Sequence, residues 1–380
     1  MRSIRTLGGL LLLIGVTGGL VYAWAGTNLD TSTLARAIVW QVADTGDWRR
    51  FPAREISASP DPVLLATPSL NVPSVEAFAK DGQPLADYLE ATQTTAFLVA
   101  RGETLIYERY FNGSSREAVQ TSFSVAKSFG STLVGLAVAD GLLAIDDPVT
   151  QYVPELRETD PRYDEIKIRH LITMASGTRY VDWGLPWTDD ATTYYAPDLR
   201  TAAVSSPVKE PPGTEFLYNN YNPLLVGMVL ERVTGGTVSE YLERRLWHPM
   251  GAEGPASWSL DSRASGFEKM ESGINARAVD FLKLGLVFSH DGRISTRQVV
   301  PAEWVAEATR RDISGDPSLD YQYNWWTLFD DGSFSAIGNH GQFIFVNPSR
   351  DLVIVRMGDS YGDTDYLGWA NLLHDLSLNI

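Results

Sequence analysis

The chain has 380 residues, of which 44% are hydrophobic and 21% are charged, a balance that is ordinary for one large or two smaller globular domains. Its 31 basic and 47 acidic residues give a formal charge of −16, which argues against a nucleic-acid partner because binding phosphates requires clustered Lys and Arg. The sequence has no cysteine, so disulfides, thiol nucleophiles and cysteine metal sites are excluded.

The first 25 residues have the pattern of an export signal. Arg2 and Arg5 precede a largely apolar run over residues 7–25, and the sequence AWA at residues 23–25 has the small-x-small form of a cleavage site. The run approaches the ~20 residues that span a bilayer, so an uncleaved anchor is the alternative to a cleaved signal peptide. We expect an exported protein that is periplasmic or extracellular, or that is attached to the inner membrane through residues 7–25.

The next part of the chain predicts an extension followed by a domain. Residues 26–70 mix polar, apolar and Pro-rich stretches, which we interpret as an N-terminal extension, and the domain is expected over residues 71–380. Two apolar runs flank the turn signal RGE at residues 101–103 and predict a β-hairpin. A long apolar helix is then predicted from Ser124 to Gly141.

Apolar periodicity predicts four more helices, in the segments IRHLITMASG, YNPLLVGMVLERVT, AVDFLKLGLVFSHDG and TDYLGWANLLHDLSL. Before the last of these, the runs GQFIFV and DLVIVRM, joined by NPSR at residues 347–350, predict a second hairpin. Strands at both ends of the domain and helices between them predict an α/β fold of the α+β type. It would have one antiparallel β-sheet flanked by helices, an inserted all-helical lobe, and a catalytic cleft where the lobe meets the sheet.

Ser124 and Lys127 stand three residues apart at the start of the first long helix, so their side chains are neighbours on its surface. The positive end of the helix dipole favours a developing oxyanion at Ser124. A serine nucleophile needs a base, and lysine serves as one only if burial or a nearby cation lowers its pKa from ~10.4. Taken alone, the spacing also fits an N-cap serine beside a snorkelling lysine.

Two later motifs accompany this pair. Tyr218 and Asn220 form Tyr-x-Asn before a predicted helix, and Gly338 and Gly341 border a strand entry where a ligand or backbone could approach closely. This order of motifs resembles that of the serine β-lactamase and penicillin-binding-protein superfamily. The flanks IRHLITMASG and PGTEFLYNNYNPLLVG resemble its class C-like branch, which includes carboxylesterases, D-aminopeptidases and 6-aminohexanoate-dimer hydrolases. The resemblance extends from about Ala77 to the end of the chain.

The resemblance implies a β-lactamase/transpeptidase-like fold and a role for each matching position. Ser124 corresponds to the nucleophile that forms an acyl-enzyme, and Lys127 to the residue that accepts or relays its proton. Tyr218 corresponds to the tyrosine that assists as a base and returns a proton to the leaving group. Asn220 corresponds to the asparagine that contacts a substrate amide. The backbone N–H groups of Ser124 and Gln342 correspond to the oxyanion hole.

One position departs from the β-lactamase pattern. Where those enzymes carry Lys-Thr-Gly or a close variant, this chain has Asn339, His340 and Gly341, followed by Gln342. A β-lactam carboxylate or a peptidoglycan stem terminus has no lysine to bind there, which disfavours a β-lactamase or carboxypeptidase and favours an esterase or amide hydrolase. His340 is expected either to hydrogen-bond Tyr218 or the substrate, or to be a structural histidine at a strand start.

Other chemistries leave few signals. The five scattered histidines give no His-x-x-x-His or His-Glu-x-x-His spacing, and the sequence has no phosphate loop, dinucleotide motif or Gly-x-Ser-x-Gly elbow. We therefore expect neither a metal nor a cofactor. The aromatic segment over residues 180–195 is either a packed loop or a roof over the substrate.

Together these features predict a serine hydrolase that cleaves an ester or small amide through an acyl-enzyme on Ser124, with Lys127 and Tyr218 as general base and acid. The expected partner is therefore a small-molecule substrate. A β-lactamase or D-amino-acid peptidase of the same fold is the alternative activity. A non-catalytic penicillin-recognising binding protein is the alternative of another class, and the intact Ser-Lys-Tyr set disfavours it because binding alone does not need the lysine.

Overall fold

The structure is a computed structural model that describes residues 17–67, 72–311 and 317–380. Its strands are β1 Ala53–Ile56, β2 Ala79–Lys80, β3 Gln83–Pro84, β4 Thr94–Arg101, β5 Thr104–Tyr110, β6 Val119–Thr121, β7 Ala256–Ser259, β8 Ile274–Arg277, β9 Arg293–Ile294, β10 Arg297–Gln298, β11 Tyr321–Gln322, β12 Trp325–Trp326, β13 Phe334–Gly338, β14 Gln342–Asn347 and β15 Leu352–Gly358. Its α-helices after residue 32 are Thr33–Trp40, Pro73–Glu76, Leu85–Ala91, Val125–Ala139, Leu156–Thr159, Ile168–Ile172, Asp189–Tyr195, Leu199–Ala203, Tyr221–Thr234, Val238–Leu242, Ala278–Ser289, Ala302–Ala308 and Tyr366–Asn379.

A seven-stranded antiparallel sheet forms the centre of the fold, in the order β11-β12-β13-β14-β15-β4-β5. Strand β15, near the end of the chain, pairs with β4 so that Leu352 lies opposite Arg101 and Met357 opposite Ala96. Both predicted hairpins are present, as β4–β5 and β14–β15. The predicted α+β fold, with a sheet built from both ends of the domain, is therefore confirmed.

Helices cover both faces of this sheet. Helices Ala278–Ser289 and Val125–Ala139 pack on one face, and helices Leu85–Ala91 and Tyr366–Asn379 pack on the other. Strands that are covered on both sides are largely apolar, and β15 is buried along its whole length with Arg356 as its one charged residue. The larger of the two hydrophobic cores continues from the sheet into the helical lobe.

The helical lobe lies between β6 and β7 in the sequence. Within it, the helix Tyr221–Thr234 packs against Val125–Ala139 and ends at Gly235, which adopts the left-handed conformation typical of a helix end. The predicted helix in IRHLITMASG is shorter than expected and covers only Ile168–Ile172. It ends there because Met174 turns into a left-handed conformation with φ 57°.

The N-terminal extension is packed onto the domain. Its strand β1 joins a four-stranded sheet in the order β1-β7-β8-β6, with Ala53 opposite Ser259 and Ile56 opposite Ala256. The helix Thr33–Trp40 also contacts the lobe. Residues 33–56 therefore belong to the same packed body as the predicted catalytic motifs.

The predicted export segment lies largely outside the described residues, which begin at residue 17. Residues 17–27 are helical. Within the three described ranges, no helix has the length and apolar content required to cross a membrane. Export and membrane attachment stay predictions.

Candidate active site

Ser124 stands at the junction of a sheet and a helix. Strand β6 pairs with β8, and Ser122 continues this contact by donating its N–H to the Ile274 carbonyl at 2.8 Å. Phe123 then adopts φ 41°, a left-handed conformation that is costly for a bulky residue. The Ser124 side chain makes no capping hydrogen bond to the helix Val125–Ala139, so its hydroxyl is available to partners in the cleft.

Lys127 points at Ser124 from the first turn of that helix. Its Nζ lies 2.8 Å from the Ser124 Oγ and 2.8 Å from the backbone oxygen of Glu271. The side chain is only 1% exposed, and this burial lowers the pKa of Lys127 from 10.5 to about 7, although the carboxyl groups of Glu271 and Asp190 act in the opposite direction. Burial therefore favours the neutral amine, which is able to accept a proton.

Tyr218 lies beside this pair, as the sequence predicts. Its ring centroid is 5.0 Å from the Lys127 Nζ, and its phenol interacts with Ser124 through a hydrogen bond. Trp326 stacks on the ring at 5.9 Å and Tyr321 packs against it edge-on at 5.9 Å. This burial raises the pKa of the Tyr218 phenol above its usual value, and the bond with Ser124 offsets only part of the effect. The phenol is therefore protonated in the resting site.

Asn220 precedes the helix Tyr221–Thr234 but does not cap it with its side chain. Its Nδ2 donates to the Tyr180 hydroxyl at 2.9 Å, whereas its Oδ1 is buried and has no partner among the described residues. Asn220 also lines the cleft that contains Ser124. An acceptor oxygen is thus available for the predicted contact with a substrate amide.

His340 directs both ring nitrogens at backbone oxygens. Its Nε2 lies 2.9 Å from the Ala43 carbonyl oxygen, and its Nδ1 lies 3.1 Å from the Asp359 carbonyl oxygen. Because both ring nitrogens meet backbone oxygens, the described residues show no hydrogen bond from His340 to Tyr218, and a contact of His340 with the substrate stays a prediction. The predicted structural alternative describes this histidine better, and its partner in the N-terminal extension could not be read from any motif.

Gln342 also directs its side chain into the protein. The side-chain Nε2 donates to the Gly358 carbonyl at 2.6 Å, and the side-chain oxygen accepts from the Gly358 N–H at 3.1 Å. The side chain is therefore not a substrate contact, and only the backbone N–H of Gln342 stays a candidate for the oxyanion hole. Asn339, the first residue of the triplet, does line the cleft.

The two glycines of the strand entry serve close packing. A Cβ on Gly338 would lie 2.4 Å from the backbone oxygen of Ser122, so glycine lets β13 approach the turn before the nucleophile. Gly341 has φ 83°, and a Cβ there would lie 2.0 Å from Arg356 Nη1, which donates to the Gly341 carbonyl at 2.7 Å. Gly341 thus meets a buried guanidinium, and its predicted contact with substrate stays a prediction.

Ser124 opens into a cleft of about 430 Å³ between the lobe, the strand entry and the N-terminal extension. The cleft is lined by Ala37, Ile38, Gln41, Val42, Ala43, Phe123, Ser124, Gly184, Leu185, Pro186, Asp190, Ala191, Tyr194, Tyr195, Asn220, Glu271, Ser272 and Asn339. Part of the aromatic segment 180–195 therefore forms a wall of the cleft. Across the described ranges, no group of three or more His, Asp or Glu is placed to hold a metal ion.

Glu271 and Asp190 give the cleft an acidic side that no sequence motif indicates. The Glu271 Oε1 accepts from the Lys269 Nζ at 2.7 Å, whereas its Oε2 is buried without a partner in the described part of the chain. Burial, together with the nearby Asp182, raises the pKa of the Asp190 carboxyl. The free acceptor atoms in this cleft favour a ligand group that donates hydrogen bonds.

Comparison with known proteins agrees with this geometry. The family model described as Beta-lactamase matches residues 85–373. The chain belongs to the β-lactamase family. A 6-aminohexanoate-dimer hydrolase from Paenarthrobacter ureafaciens is 29% identical over 372 residues, covering 90% of this chain and 92% of that protein. Esterase EstB from Burkholderia gladioli is 29% identical over 208 residues, covering 46% of this chain and 52% of that protein.

Solved structures share the fold. A candidate 6-aminohexanoate-dimer hydrolase from Bacillus anthracis superposes with a TM-score of 0.79 at 20% identity, covering 92% of this chain and 97% of that chain. A penicillin-binding protein from Bacillus halodurans gives a TM-score of 0.61 at 18% identity, with 77% and 99% covered. The predicted superfamily and fold are confirmed, and this member of the family is a serine hydrolase.

Proposed function

We propose that this β-lactamase-family enzyme hydrolyses a short linear amide or ester through an acyl-enzyme on Ser124. The observation that carries the proposal is the 2.8 Å contact between the Lys127 amine and the Ser124 hydroxyl, at a lysine whose pKa is about 7. A base poised near neutral pH is what a serine nucleophile requires. A protein that only binds penicillin gains nothing from a buried lysine, whose desolvation costs folding stability.

Each proposed step uses groups of this chain. Neutral Lys127 takes the Ser124 proton as Oγ bonds to the substrate carbonyl carbon. The resulting oxyanion lies between the backbone N–H groups of Ser124 and Gln342, at the positive end of the helix that Ser124 begins. Tyr218, a neutral phenol, gives its proton to the leaving nitrogen or oxygen and regains one from Lys127. Water then attacks the acyl carbon, the acid departs and the Ser124 hydroxyl is restored.

We propose further that the acyl part of the preferred substrate ends in an amine. Glu271 Oε2 and Asn220 Oδ1 are free acceptors within the described chain, and Asp190 adds a carboxyl group to the same cleft. The lining that the described ranges supply contains no Lys or Arg. The relative from Paenarthrobacter ureafaciens is named for a dimer of 6-aminohexanoate, a linear amide with an amine at one end and a carboxylate at the other, and its amine end supports the same kind of acyl group.

A matched pair of substrates tests this preference. The value of kcat/KM for 6-aminohexanoyl p-nitroanilide should exceed that for hexanoyl p-nitroanilide by about tenfold, as expected for a charge contact in a partly dry cleft. Asp190→Asn should reduce the ratio towards one. Asp375→Asn is the control, since Asp375 is exposed and does not line the cleft. Equal rates for the two substrates with the wild-type enzyme would contradict the amine preference.

A β-lactamase or D-amino-acid peptidase is the competing activity. Its substrates carry a carboxylate that needs a cation, and the position where the resemblance expects a lysine is Asn339, a residue of the cleft lining. Asn339 cannot supply that charge, and the cleft lining given by the described ranges contains no Lys or Arg to replace it. The linear amide or ester therefore fits the site better.

We propose in addition that the protein is exported, because Arg2, Arg5 and the apolar run over residues 7–25 have the order of an export signal. Cell fractionation with antibody detection should find the protein outside the cytoplasm, either released or in the membrane fraction. Recovery in the cytoplasmic fraction would contradict export.

A further inference from the structure

A stretch of the N-terminal extension forms one wall of the catalytic cleft. This stretch, residues 37–43, precedes the segment that the family model matches, which begins at residue 85. It nevertheless contributes Ala37, Ile38, Gln41, Val42 and Ala43 to the same lining as Ser124. Four of these five side chains are aliphatic, so the wall suits an aliphatic chain rather than a charged group.

Buried contacts fix the first half of this wall. Arg36 is only 2% exposed, and its guanidinium donates to the carbonyl oxygens of Leu29 and Asp261, each at 2.6 Å. Trp40 packs edge-on against Tyr195, with ring centroids 6.0 Å apart. The helix Thr33–Trp40 is therefore anchored to the lobe, and the side chains that it presents to the cleft have defined positions.

His340 contacts the second half of this wall. Its Nε2 meets the Ala43 carbonyl and its Nδ1 meets the Asp359 carbonyl, so the ring links the wall to the loop after β15. Thr45 strengthens this link by donating its hydroxyl to the Asp359 carboxylate at 2.5 Å. The histidine follows Asn339, which also lines the cleft.

We propose that residues 37–43 determine which acyl chain the enzyme accepts, and that His340 is a positioning residue that keeps this wall in place. Because acyl transfer to Ser124 is itself proposed, the substrate class follows that function: acyl groups with an unbranched aliphatic chain. Ile38 contributes an aliphatic side chain to the wall and is the position to vary.

A chain-length series of p-nitrophenyl esters, from acetate to octanoate, tests the wall. Ile38→Trp should lower kcat/KM for hexanoate relative to acetate at least about tenfold, the size of effect that a change of pocket volume has on a hydrophobic substrate. Ile38→Ala should shift the preference towards octanoate. Val39→Trp is the matched control, because Val39 is the next residue on the same helix, is also half-buried and does not line the cleft. An unchanged chain-length profile in both Ile38 variants would contradict the proposal that residues 37–43 determine which acyl chain is accepted.

His340→Asn tests the positioning role. Asparagine tolerates the left-handed φ of 59° at this position but is too short to reach the Ala43 carbonyl. KM for hexanoate should rise at least about fivefold while kcat changes by less than about threefold, the pattern of lost substrate binding without lost chemistry. Equal losses of kcat for acetate and hexanoate, or no change at all, would overturn the role of His340.

Fluorophosphonate labelling of the same samples separates this inference from the proposed function. If Ser124 is labelled in every variant and the chain-length profile does not change, the proposed role of residues 37–43 is wrong and Ser124 is still supported as the nucleophile. If Ser124 is not labelled in the wild-type enzyme, the proposed function itself is wrong.

Discussion

Replacement of Lys127 by arginine should damage the enzyme about as much as replacement by alanine. Arginine keeps the positive charge one turn from Ser124, but its pKa above ~12 prevents it from accepting the serine proton at neutral pH. Loss of a general base typically costs a factor of about 10² to 10⁴ in rate. Both variants should therefore retain less than about a hundredth of the wild-type kcat on p-nitrophenyl acetate.

The lysine pKa of about 7 also determines the pH profile of the wild-type enzyme. The neutral fraction of Lys127 rises from about one tenth at pH 6 to about nine tenths at pH 8. An unperturbed lysine with a pKa of ~10.4 would be only about one part in 250 neutral at pH 8. The value of kcat/KM, which reports the free enzyme, should therefore rise roughly tenfold over this interval and then level off.

Initial rates on p-nitrophenyl acetate at constant ionic strength, corrected for spontaneous hydrolysis, measure both effects. The Lys127→Ala variant serves as the baseline for each pH. A kcat/KM that climbs steadily beyond pH 9 would show an ordinary lysine pKa. An arginine variant with most of the wild-type rate would show that Lys127 acts as a fixed charge and that the proton passes through Tyr218 alone.

Three further outcomes are expected. The folded pKa of Lys127 lies below its unfolded value of ~10.4, so the free-energy cost of burying it is complete below pH 7 and vanishes towards pH 10. Thermal unfolding should therefore show Lys127→Met to be more stable than wild type, by about 4–5 kcal/mol at most at pH 6 and by less at pH 9. A stability difference between the two proteins that is the same at both pH values would refute the pKa shift. Tyr218→Phe should slow an anilide at least about tenfold more than a p-nitrophenyl ester, whose leaving group needs no proton, and equal losses would exclude Tyr218 as the acid. Nitrocefin should be a poor substrate that Asn339→Lys improves relative to p-nitrophenyl acetate, and rapid wild-type turnover of nitrocefin would show that its carboxylate is bound elsewhere.

The sequence predicted the parts of the site that follow from local pattern. The apolar helix after Ser124 fixes the direction of Lys127, because residues three apart share a helix face. The hairpin signals at residues 101–103 and 347–350 likewise predicted β4, β5, β14 and β15, four of the seven strands of the central sheet. These features depend on neighbours within a few residues, so a single sequence contains the information.

The missed features depend on contacts between distant segments. Glu271 faces Lys127 from 144 residues further along the chain, and His340 meets Ala43 across 297 residues. Neither contact leaves a spacing or a periodicity that a sequence can show. The packing of Gly341 could not be predicted for the same reason, since the neighbour that requires a glycine there is the buried Arg356.

The measurement that tests the central claim most directly is mass-spectrometric mapping of a fluorophosphonate adduct. A covalent adduct is expected on the peptide that contains Ser124 in the wild-type protein. No adduct is expected with Ser124→Ala, although its circular-dichroism spectrum should match the wild type, and a much slower one is expected with Lys127→Arg. An adduct on another residue, or a Ser124→Ala protein that retains more than about a hundredth of the wild-type activity, would contradict an acyl-enzyme on Ser124.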